Sequence, residues 1–281
     1  MAYFANIRTV FGGLGLFFVV QMAHPEVLVA QGRTYGLAIG SSHYVGDLGG
    51  SASFAPWKTT SMRASRLALS GFVEFPTDGR WQVRTGLTFA QLHGDDRFAD
   101  SPTRVARNLH FKSSVWEASA RGQFKFWDRP RHWNRSSGSR GYIFLGVGAF
   151  TYNPKSRVRS DSNDINNPIW YSLRELTTEG QEDPYSLIAI SMPMGIGFDW
   201  NLTGGWQVGC EINWRYTTTD YLDDVSGNYA DPSQLSELGA VLSSQASAYS
   251  VAIAGPSGGA VTNHQFQANG VPRGNPESRD G

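Results

Sequence analysis

The sequence predicts an all-β protein: a transmembrane antiparallel β-barrel of about eight strands, of which about seven are visible. Three observations support this fold: long segments in which apolar and polar residues alternate, connections that alternate between short turns and long loops, and Trp and Tyr residues at segment ends. Residues 115–127 show the alternation most clearly. Trp116 and Phe124 share one face with other apolar or small residues, whereas Glu117 and Arg121 lie on the other. This period of two is typical of a strand with two different faces.

The N-terminal residues 1–30 have the pattern of a secretory signal peptide. Arg8 precedes an apolar run over residues 10–20, and a small residue, Ala30, closes the segment. The apolar run is shorter than the roughly 20 residues that a membrane-spanning helix needs. We therefore predict export, with residues 31–281 as the barrel domain, and a buried N-terminal helix is the alternative.

Seven segments then repeat the alternation in chain order. Each has one apolar face and one face rich in Arg, Glu, Gln, Ser or Gly, except residues 141–152, which are apolar or Gly on both faces. Their lengths match the roughly 9–11 residues that a tilted strand needs to cross a membrane. The predicted strands cover residues 33–41, 63–75, 81–92, 109–127, 141–152, 185–200 and 206–216.

The connections between these strands alternate in length. Tight turns are predicted at residues 76–80 and 201–205, where Gly occupies turn positions, and residues 128–140 form a longer polar turn. Short turns at one end and long loops at the other are typical of outer-membrane barrels. The long connections are residues 42–62, 93–108, 153–184 and the chain after residue 217.

The last connection, residues 217–281, is predicted to be a long loop with a helical segment at residues 231–249. Asp231 can cap this helix. Seven strands leave a ring open, and unpaired backbone in lipid costs several kcal/mol per group. We therefore expect an eighth strand, either beyond Gly281 or from residues 246–254.

Two environments compete for the apolar face of the strands. In a soluble lipocalin-like carrier the apolar side chains point inward around a ligand, whereas in a membrane barrel they point to lipid and the polar face fills the lumen. The strand lengths and the aromatic residues at strand ends favour lipid.

A lumen of about eight strands is narrow enough for side chains to fill, so we expect a structural ion-pair network there, with a narrow proton or ion path as the alternative. The predicted members are Arg66, Glu74, Arg84, Glu117, Arg121, Lys125, Glu211 and Arg215.

The sequence contains no motif for catalysis, cofactor binding or metal binding. The six His residues lack zinc-site spacing, and the single Cys210 excludes an intramolecular disulfide and a Cys-based zinc site. No P-loop, dinucleotide or nucleophile-elbow motif occurs. A net charge of zero does not indicate a nucleic-acid partner. We therefore predict a non-enzymatic protein without a cofactor.

Two pairs of adjacent acids, Asp95–Asp96 and Asp223–Asp224, lie in long loops at the same predicted end of the barrel. With His93 nearby, the first pair could provide acid–base groups to a surface enzyme that acts on lipid or peptide. A calcium site, or a cation that bridges lipopolysaccharide, is a second possibility. Adjacent acids point in different directions, so a solvated loop is the simplest interpretation.

The polar turn at residues 128–140 is basic. A basic surface on the periplasmic side would attract a protein partner through long-range electrostatics, although a short solvated turn is often basic without such a role. The candidate docking residues are Arg129, Arg131, Arg135 and Arg140.

Four further segments stand out by their composition. They are residues 44–48, residues 108–111 with Trp116 and Glu117, residues 273–276, and the most specific one, Asp220, Tyr221, Leu222, Asp223, Asp224, Val225 and Ser226. Together they resemble the PorG-type outer-membrane barrels of the type IX secretion system, over most of residues 33–281. The resemblance implies an accessory or scaffold component in protein transport and gliding motility, which docks to a periplasmic ring of PorK-like and PorN-like proteins. It implies no catalytic residues.

The sequence as a whole favours a non-enzymatic scaffold in the bacterial outer membrane, surrounded by outer-membrane lipid. A surface-exposed barrel enzyme and a soluble lipocalin-like carrier are the alternatives. The three differ in where the protein resides and in which faces of the strands are apolar.

Overall fold

A computed structural model describes most of the chain at the level of side chains. The described residues are 10–22 (backbone only), 32–48, 64–77, 79–99, 102–129, 138–159, 169–202, 206–246 and Arg273.

Eight long strands dominate the described chain, and two short strands and two short α-helices lie in the connections. Single 3-10 turns cover Asp96–Phe98, Arg174–Leu176 and Pro232–Gln234. The long strands are β1 (Val10–Met22), β2 (Thr34–His43), β3 (Arg66–Pro76), β4 (Trp81–Asp95), β5 (His110–Arg129), β6 (Ser139–Thr151), β9 (Ile188–Asn201) and β10 (Trp206–Thr217). The short elements are β7 (Lys155–Ser156), β8 (Tyr171–Ser172), α1 (Pro102–Arg107) and α2 (Glu237–Ser243).

The long strands form a closed antiparallel ring. The order around the ring is β1-β2-β3-β4-β5-β6-β9-β10, and β10 pairs back to β1. Each pairing is antiparallel, as short connections between neighbouring strands require. The seven strands predicted from the sequence appear as β2 to β6, β9 and β10. The predicted fold class, an all-β antiparallel barrel, is confirmed.

The eighth position in the ring is occupied by β1. Its backbone pairs with β2 from Leu14 to Met22 and with β10 from Val10 to Met22. This segment lies within residues 1–30, which the sequence analysis assigns to a signal peptide. Signal cleavage remains a prediction, and it would remove β1 and leave β2 and β10 as open edges. The alternative source of the strand, residues 247–254, lies outside the described residues.

The two ends of the barrel differ as predicted. Short connections join β1 to β2, β3 to β4, β5 to β6 and β9 to β10 at one end, which we call the turn end. The connections β2–β3, β4–β5 and β6–β9, and the chain after β10, lie at the opposite end, which we call the loop end. At the loop end β5 continues past the end of β6 while it still pairs with β4, and there it pairs with β7, which in turn pairs with β8.

The side chains show which face of each strand points outward. Trp116 is 59% exposed, whereas the next residue, Glu117, is 3% exposed. The same alternation holds around the ring, where Leu37, Leu87 and Val147 are exposed. An apolar exterior around a polar interior is the arrangement of a barrel that faces lipid. The lipocalin-like carrier is therefore wrong, because the apolar side chains do not line the interior.

Exposed tryptophans cluster at the turn end: Trp81, Trp127, Trp200 and Trp206. They form the kind of aromatic girdle that lies at a membrane interface. Tyr142 also lies near the turn end, on β6, but it is not part of this girdle. Its side chain points into the lumen and is buried.

The predicted helix at residues 231–249 is shorter than expected. Asp231 caps a 3-10 turn at Pro232–Gln234, and Ser236 then caps the separate helix α2 by accepting a hydrogen bond from the Gly239 N–H. The second cap starts a new helix, so the segment splits into two. No helix in the described ranges is long and apolar enough to cross a membrane.

Candidate functional site

The interior of the barrel is built around Glu211 on β10. Its two carboxylate oxygens accept hydrogen bonds from Nη1 and Nη2 of Arg121, each at 2.6 Å. Arg84 Nη1 and the Tyr142 hydroxyl each donate to Oε2 at 3.1 Å. Asn213 Nδ2 donates to Oε1 at 3.2 Å. One buried carboxylate thus organises donors from four different strands.

A second group lies toward the turn end and shares Arg84 with the first. Arg84 donates from Nε to Glu74 Oε1 at 2.7 Å, and its Nη2 makes a second contact with the same oxygen. Arg140 donates from Nε to Asp199 Oδ2 at 3.1 Å and from Nη1 to Gln82 Oε1 at 3.0 Å. Glu74 is completely buried. Hydrogen bonds between a guanidinium group and a carboxylate are stronger than those between neutral groups.

A third pair lies toward the loop end of the lumen. Arg215 Nε donates to both oxygens of Glu117, at 3.0 and 2.9 Å, and the Ser191 hydroxyl donates to Oε2 at 2.8 Å. We call the three groups together the lumen network. Its four carboxylates balance its four guanidinium groups: Glu74, Glu117, Asp199 and Glu211 against Arg84, Arg121, Arg140 and Arg215.

Two of these arginines stack on the faces of aromatic rings. The Arg84 guanidinium carbon lies 4.0 Å from the centroid of Phe72, and that of Arg121 lies 4.0 Å from the centroid of Phe144. Phe144 has space because Gly195 on the neighbouring strand has no Cβ, and an added Cβ atom there would collide with the ring. Cation–π contacts in a desolvated site add about 2 kcal/mol.

The sequence analysis identified six of the eight charged members of the lumen network. Arg66 and Lys125 do not belong to it: Arg66 is the first residue of β3 at the loop end, and Lys125 lies near the turn end of β5. Arg140 and Asp199 were missed. Their pairing depends on the register between β6 and β9, which places Arg140 directly opposite Asp199.

The lumen network leaves little open space. The cavity among Arg84, Arg121, Glu211 and Arg215 has a volume of about 30 Å³, which is room for about one water molecule. Buried charges need partners because an unpaired buried ion costs several kcal/mol. The network therefore crosses the barrel interior, and the cavity among these four side chains is small.

A second assembly closes the loop end. We call it the loop cap: the described residues of the long connections, 44–48, 96–109, 152–159, 169–187 and 218–246, together with Arg273. Its apolar centre is one buried cluster that also includes residues from the strand ends: Leu48, Leu92, Leu109, Phe111, Phe150, Tyr152, Ala189, Leu222 and Val225.

Arg273 is the central cation of the loop cap, and it is 2% exposed. Its Nη1 donates to the backbone oxygen of Asp224 at 2.6 Å and to Thr178 Oγ1 at 2.8 Å, and lies 3.3 Å from Asp224 Oδ2. Its Nε donates to the backbone oxygen of Ser243 at 3.1 Å. Glu179 Oε1 lies 3.4 Å from Nη1. One side chain thus joins three separate segments of the cap.

Burial and neighbouring charges shift the pKa values of these groups. It raises the pKa of Asp224, and the surrounding donors only partly offset this effect. It also raises the pKa of Glu179 against the opposing effect of Arg273. Burial and the adjacent Asp224 carboxylate raise the pKa of Tyr185, so the phenol keeps its proton and donates to Asp224 Oδ1 at 2.8 Å. Burial acts to lower the pKa of Arg273, but the two carboxylates outweigh it and raise that pKa.

The acid pair Asp95–Asp96 is buried in ion pairs and does not form a solvated loop. Asp96 accepts hydrogen bonds from Arg107 at 2.8 and 2.9 Å. Asp95 accepts from Arg159 at 2.7 Å and from Arg97 at 3.1 Å. Neither carboxylate is available to a substrate or a cation in this arrangement. No group of three or more His, Cys, Asp or Glu side chains that could hold a metal occurs in the described ranges.

The segment at residues 220–226 is also buried in the loop cap. Asp223 Oδ2 accepts a hydrogen bond from the Tyr44 hydroxyl at 2.6 Å, and Tyr221 stacks on Tyr185 with 4.6 Å between ring centroids. Asp220 accepts from the Ser226 hydroxyl, and Leu222 lies in the apolar cluster.

Described residues of all four segments that carry the family resemblance lie in the loop cap, whereas Trp116 and Glu117 lie on the barrel wall and residues 274–276 lie outside the described residues. Tyr44 contacts Asp223, and Arg273 contacts Asp224. Arg107, next to the second segment, donates from Nη1 to the backbone oxygen of Arg273 at 2.5 Å. Segments that are far apart in sequence thus form one unit.

The candidate docking turn is only partly described. Arg131 and Arg135 lie outside the described residues, and only the backbone of Arg129 is described, as the last residue of β5. Arg140 cannot serve as a docking residue, because its side chain points into the lumen and pairs with Asp199.

The sequence was compared with known families, curated proteins and solved structures. A family model described as "Domain of unknown function (DUF6089)" matches residues 14–247. Comparison with curated proteins gives no match. The chain is similar to a crystal structure of Ail, the attachment invasion locus protein of Yersinia pestis, in complex with the heparin analogue sucrose octasulfate. That similarity covers 74% of this chain and 98% of Ail, with 10% sequence identity and a TM-score of 0.23.

Proposed function

The chain belongs to the DUF6089 family of domains of unknown function, and from this premise we propose that it is a closed, non-enzymatic scaffold barrel of the bacterial outer membrane. The lumen network is the observation that supports this proposal most strongly. Four carboxylates and four guanidinium groups pair across the interior and leave room for about one water molecule. A barrel filled in this way has the architecture of a plugged scaffold rather than a channel.

The exterior supports the membrane setting of the proposal. Exposed apolar side chains surround the ring, and exposed tryptophans lie at the turn end. In outer-membrane barrels the short turns lie in the periplasm and the longer loops outside the cell. The loop cap would then face the exterior, the strands would contact outer-membrane lipid, and the N-terminal residues 1–30 would direct export.

We expect the purified chain, folded into planar lipid bilayers, to show no steady large conductance, because the lumen network blocks the water path. In cells we expect the protein in the outer-membrane fraction, soluble only with detergent. Faster migration of the unheated than of the heated sample in a denaturing gel would verify that the barrel is folded. A steady open channel would contradict the plugged scaffold, and a detergent-free periplasmic pool would contradict the membrane assignment.

A finer proposal is that the scaffold is an accessory component of the type IX secretion machine. Its support is the resemblance carried by four segments, whose members Tyr44, Leu109, Asp223 and Arg273 lie in the loop cap. The turn end would dock to a periplasmic ring of PorK-like and PorN-like proteins. The remaining docking candidates from the sequence are Arg129, Arg131 and Arg135.

Charge reversal at Arg131 and Arg135 together is expected to reduce co-purification of the ring lipoprotein at least about tenfold, because rim charges guide docking. Arg80→Glu is a matched control, because Arg80 is an exposed basic residue in a different turn at the same end. Unchanged co-purification of the double variant would remove the docking proposal and leave the scaffold barrel intact.

The buried acid pairs give no support to an enzymatic function. Asp95, Asp96, Asp223 and Asp224 are each held by arginine, tyrosine or backbone donors inside the loop cap. A general acid or base must reach its substrate within hydrogen-bond distance, and these carboxylates are at most 3% exposed.

A further inference from the structure

The extension of β5 at the loop end carries a cluster of positive charge on its outward face. Lys112 on β5 pairs directly with Lys155 on β7, and β7 pairs with β8. The Lys112 ammonium lies 3.8 Å from the centroid of the Trp170 ring, and the Arg157 guanidinium carbon lies 5.4 Å from the same centroid. Three cations therefore surround one indole.

The two lysines of the cluster, Lys112 and Lys155, lie directly opposite each other on neighbouring strands. Like charges directly opposite each other on neighbouring strands are destabilising, and both Lys155 and Arg157 repel the Lys112 ammonium. Both lysines are exposed, and neither forms an ion pair with a carboxylate in the described part of the chain. In the described residues, the charges of this lysine pair are therefore not neutralised by carboxylates, unlike the arginines of the lumen network.

The position of the cluster along the barrel axis indicates which part of the membrane it would contact. Trp116 lies on the outward face of β5 and packs on Phe89, with 4.9 Å between ring centroids. Lys112 lies two outward positions further toward the loop end. Ile169, next to Trp170, is 54% exposed. Basic side chains just beyond an aromatic residue on a lipid-facing surface lie at the level of lipid headgroups.

We propose that Lys112, Lys155 and Arg157 bind the phosphate of a phosphomonoester lipid headgroup in the leaflet at the loop end. This inference rests on the proposed membrane function. A phosphomonoester carries more than one negative charge and several acceptor oxygens, so it can accept hydrogen bonds from two ammonium groups and a guanidinium at once. It would remove the repulsion between the two lysines. Trp170 would hold Lys112 in place and contact the apolar part of the lipid.

The test uses the full chain in phosphatidylcholine nanodiscs that contain a small share of phosphatidic acid, a phosphomonoester lipid, or of phosphatidylglycerol, a phosphodiester. Native mass spectrometry measures which lipid remains bound. We expect enrichment of phosphatidic acid over phosphatidylglycerol, reduced about fivefold by each of Lys112→Gln and Lys155→Gln. Lys125→Gln, on the same strand near the turn end, is the matched control and is expected to leave the enrichment unchanged.

Stability gives an independent readout in lipid-free detergent. Lys155→Gln is expected to leave the urea midpoint unchanged or raise it, because it removes the repulsion, while it weakens lipid retention. Equal retention of the two lipids, or retention that the lysine variants do not change, would overturn the inference. Inorganic phosphate that competes fully with phosphatidic acid would show a free-phosphate site and overturn the lipid assignment. Failure of the chain to enter nanodiscs would instead contradict the proposed function.

Discussion

Replacing Glu211 with alanine is expected to destabilise the barrel by about 3–5 kcal/mol, because it leaves the buried Arg121 guanidinium without its carboxylate. Arg121 loses both of its 2.6 Å hydrogen bonds, and Arg84 loses one of its two acidic partners. The measurement is urea unfolding in lipid vesicles, followed by tryptophan fluorescence. A loss of this size is a large part of the stability of a typical domain.

Two variants define the controls for Glu211. Glu182→Ala removes an exposed loop carboxylate and is expected to change stability by no more than about 0.5 kcal/mol. Glu211→Leu combined with Arg121→Met replaces this buried ion pair with apolar groups, while Arg84 keeps its partner Glu74. We expect that double variant to recover part of the loss, because replacing both members of a buried ion pair with apolar residues is often neutral. If Glu211→Ala costs no more than Glu182→Ala, the lumen is solvated and the plug does not exist.

Replacing Arg273 with alanine is expected to release the loop cap while the barrel stays folded. The change removes the donors to Asp224, Thr178 and the Ser243 carbonyl. It also leaves two buried carboxylates without their cation, at a cost of about 3–5 kcal/mol. Amide hydrogen exchange in residues 177–180 and 221–227 should then accelerate at least about a hundredfold, because local opening sets the exchange rate there. Exchange in the strands should not change.

Two further arginine variants test whether the effect belongs to Arg273 alone. Arg97→Ala serves as the control, since the Arg97 side chain is 45% exposed although it also pairs with a buried aspartate. Arg273→Lys keeps the charge but has fewer donors with fixed geometry, so its effect should be intermediate. Unchanged exchange in Arg273→Ala would show that the apolar cluster alone holds the loop cap.

The alternation along the strands was sufficient to predict the faces of the barrel, because the period of two is a local property of the chain. The opposed environments of Trp116 and Glu117 are the clearest case. The inward position of Tyr142 was not predictable, because β6 is apolar or Gly on both faces. Its place depends on Gly197 of the neighbouring strand, where a Cβ atom would collide with the Tyr142 ring.

The ion-pair partners of the charged side chains could not be predicted from the sequence, because they depend on strand register and tertiary packing. Asp199 lay on the predicted polar face of its strand, but its partner Arg140 was assigned to a turn, and only the register joins them. Asp95 and Asp96 seemed solvated because the sequence places two acids side by side in a loop. Their arginines come from other segments of the fold, and tertiary packing alone brings Arg159 to Asp95.

The antiparallel pairing of β1 with both of its neighbours fixes the direction in which a strand at this position must run. β1 runs from the loop end to the turn end between β2 and β10, and β10 finishes at the loop end. A segment that follows β10 and turns back into the ring would run in that same direction. The seam therefore has one polarity, which an N-terminal segment and a segment after β10 can both satisfy. Strand exchange at this seam would preserve the number of strands and the antiparallel order of the barrel.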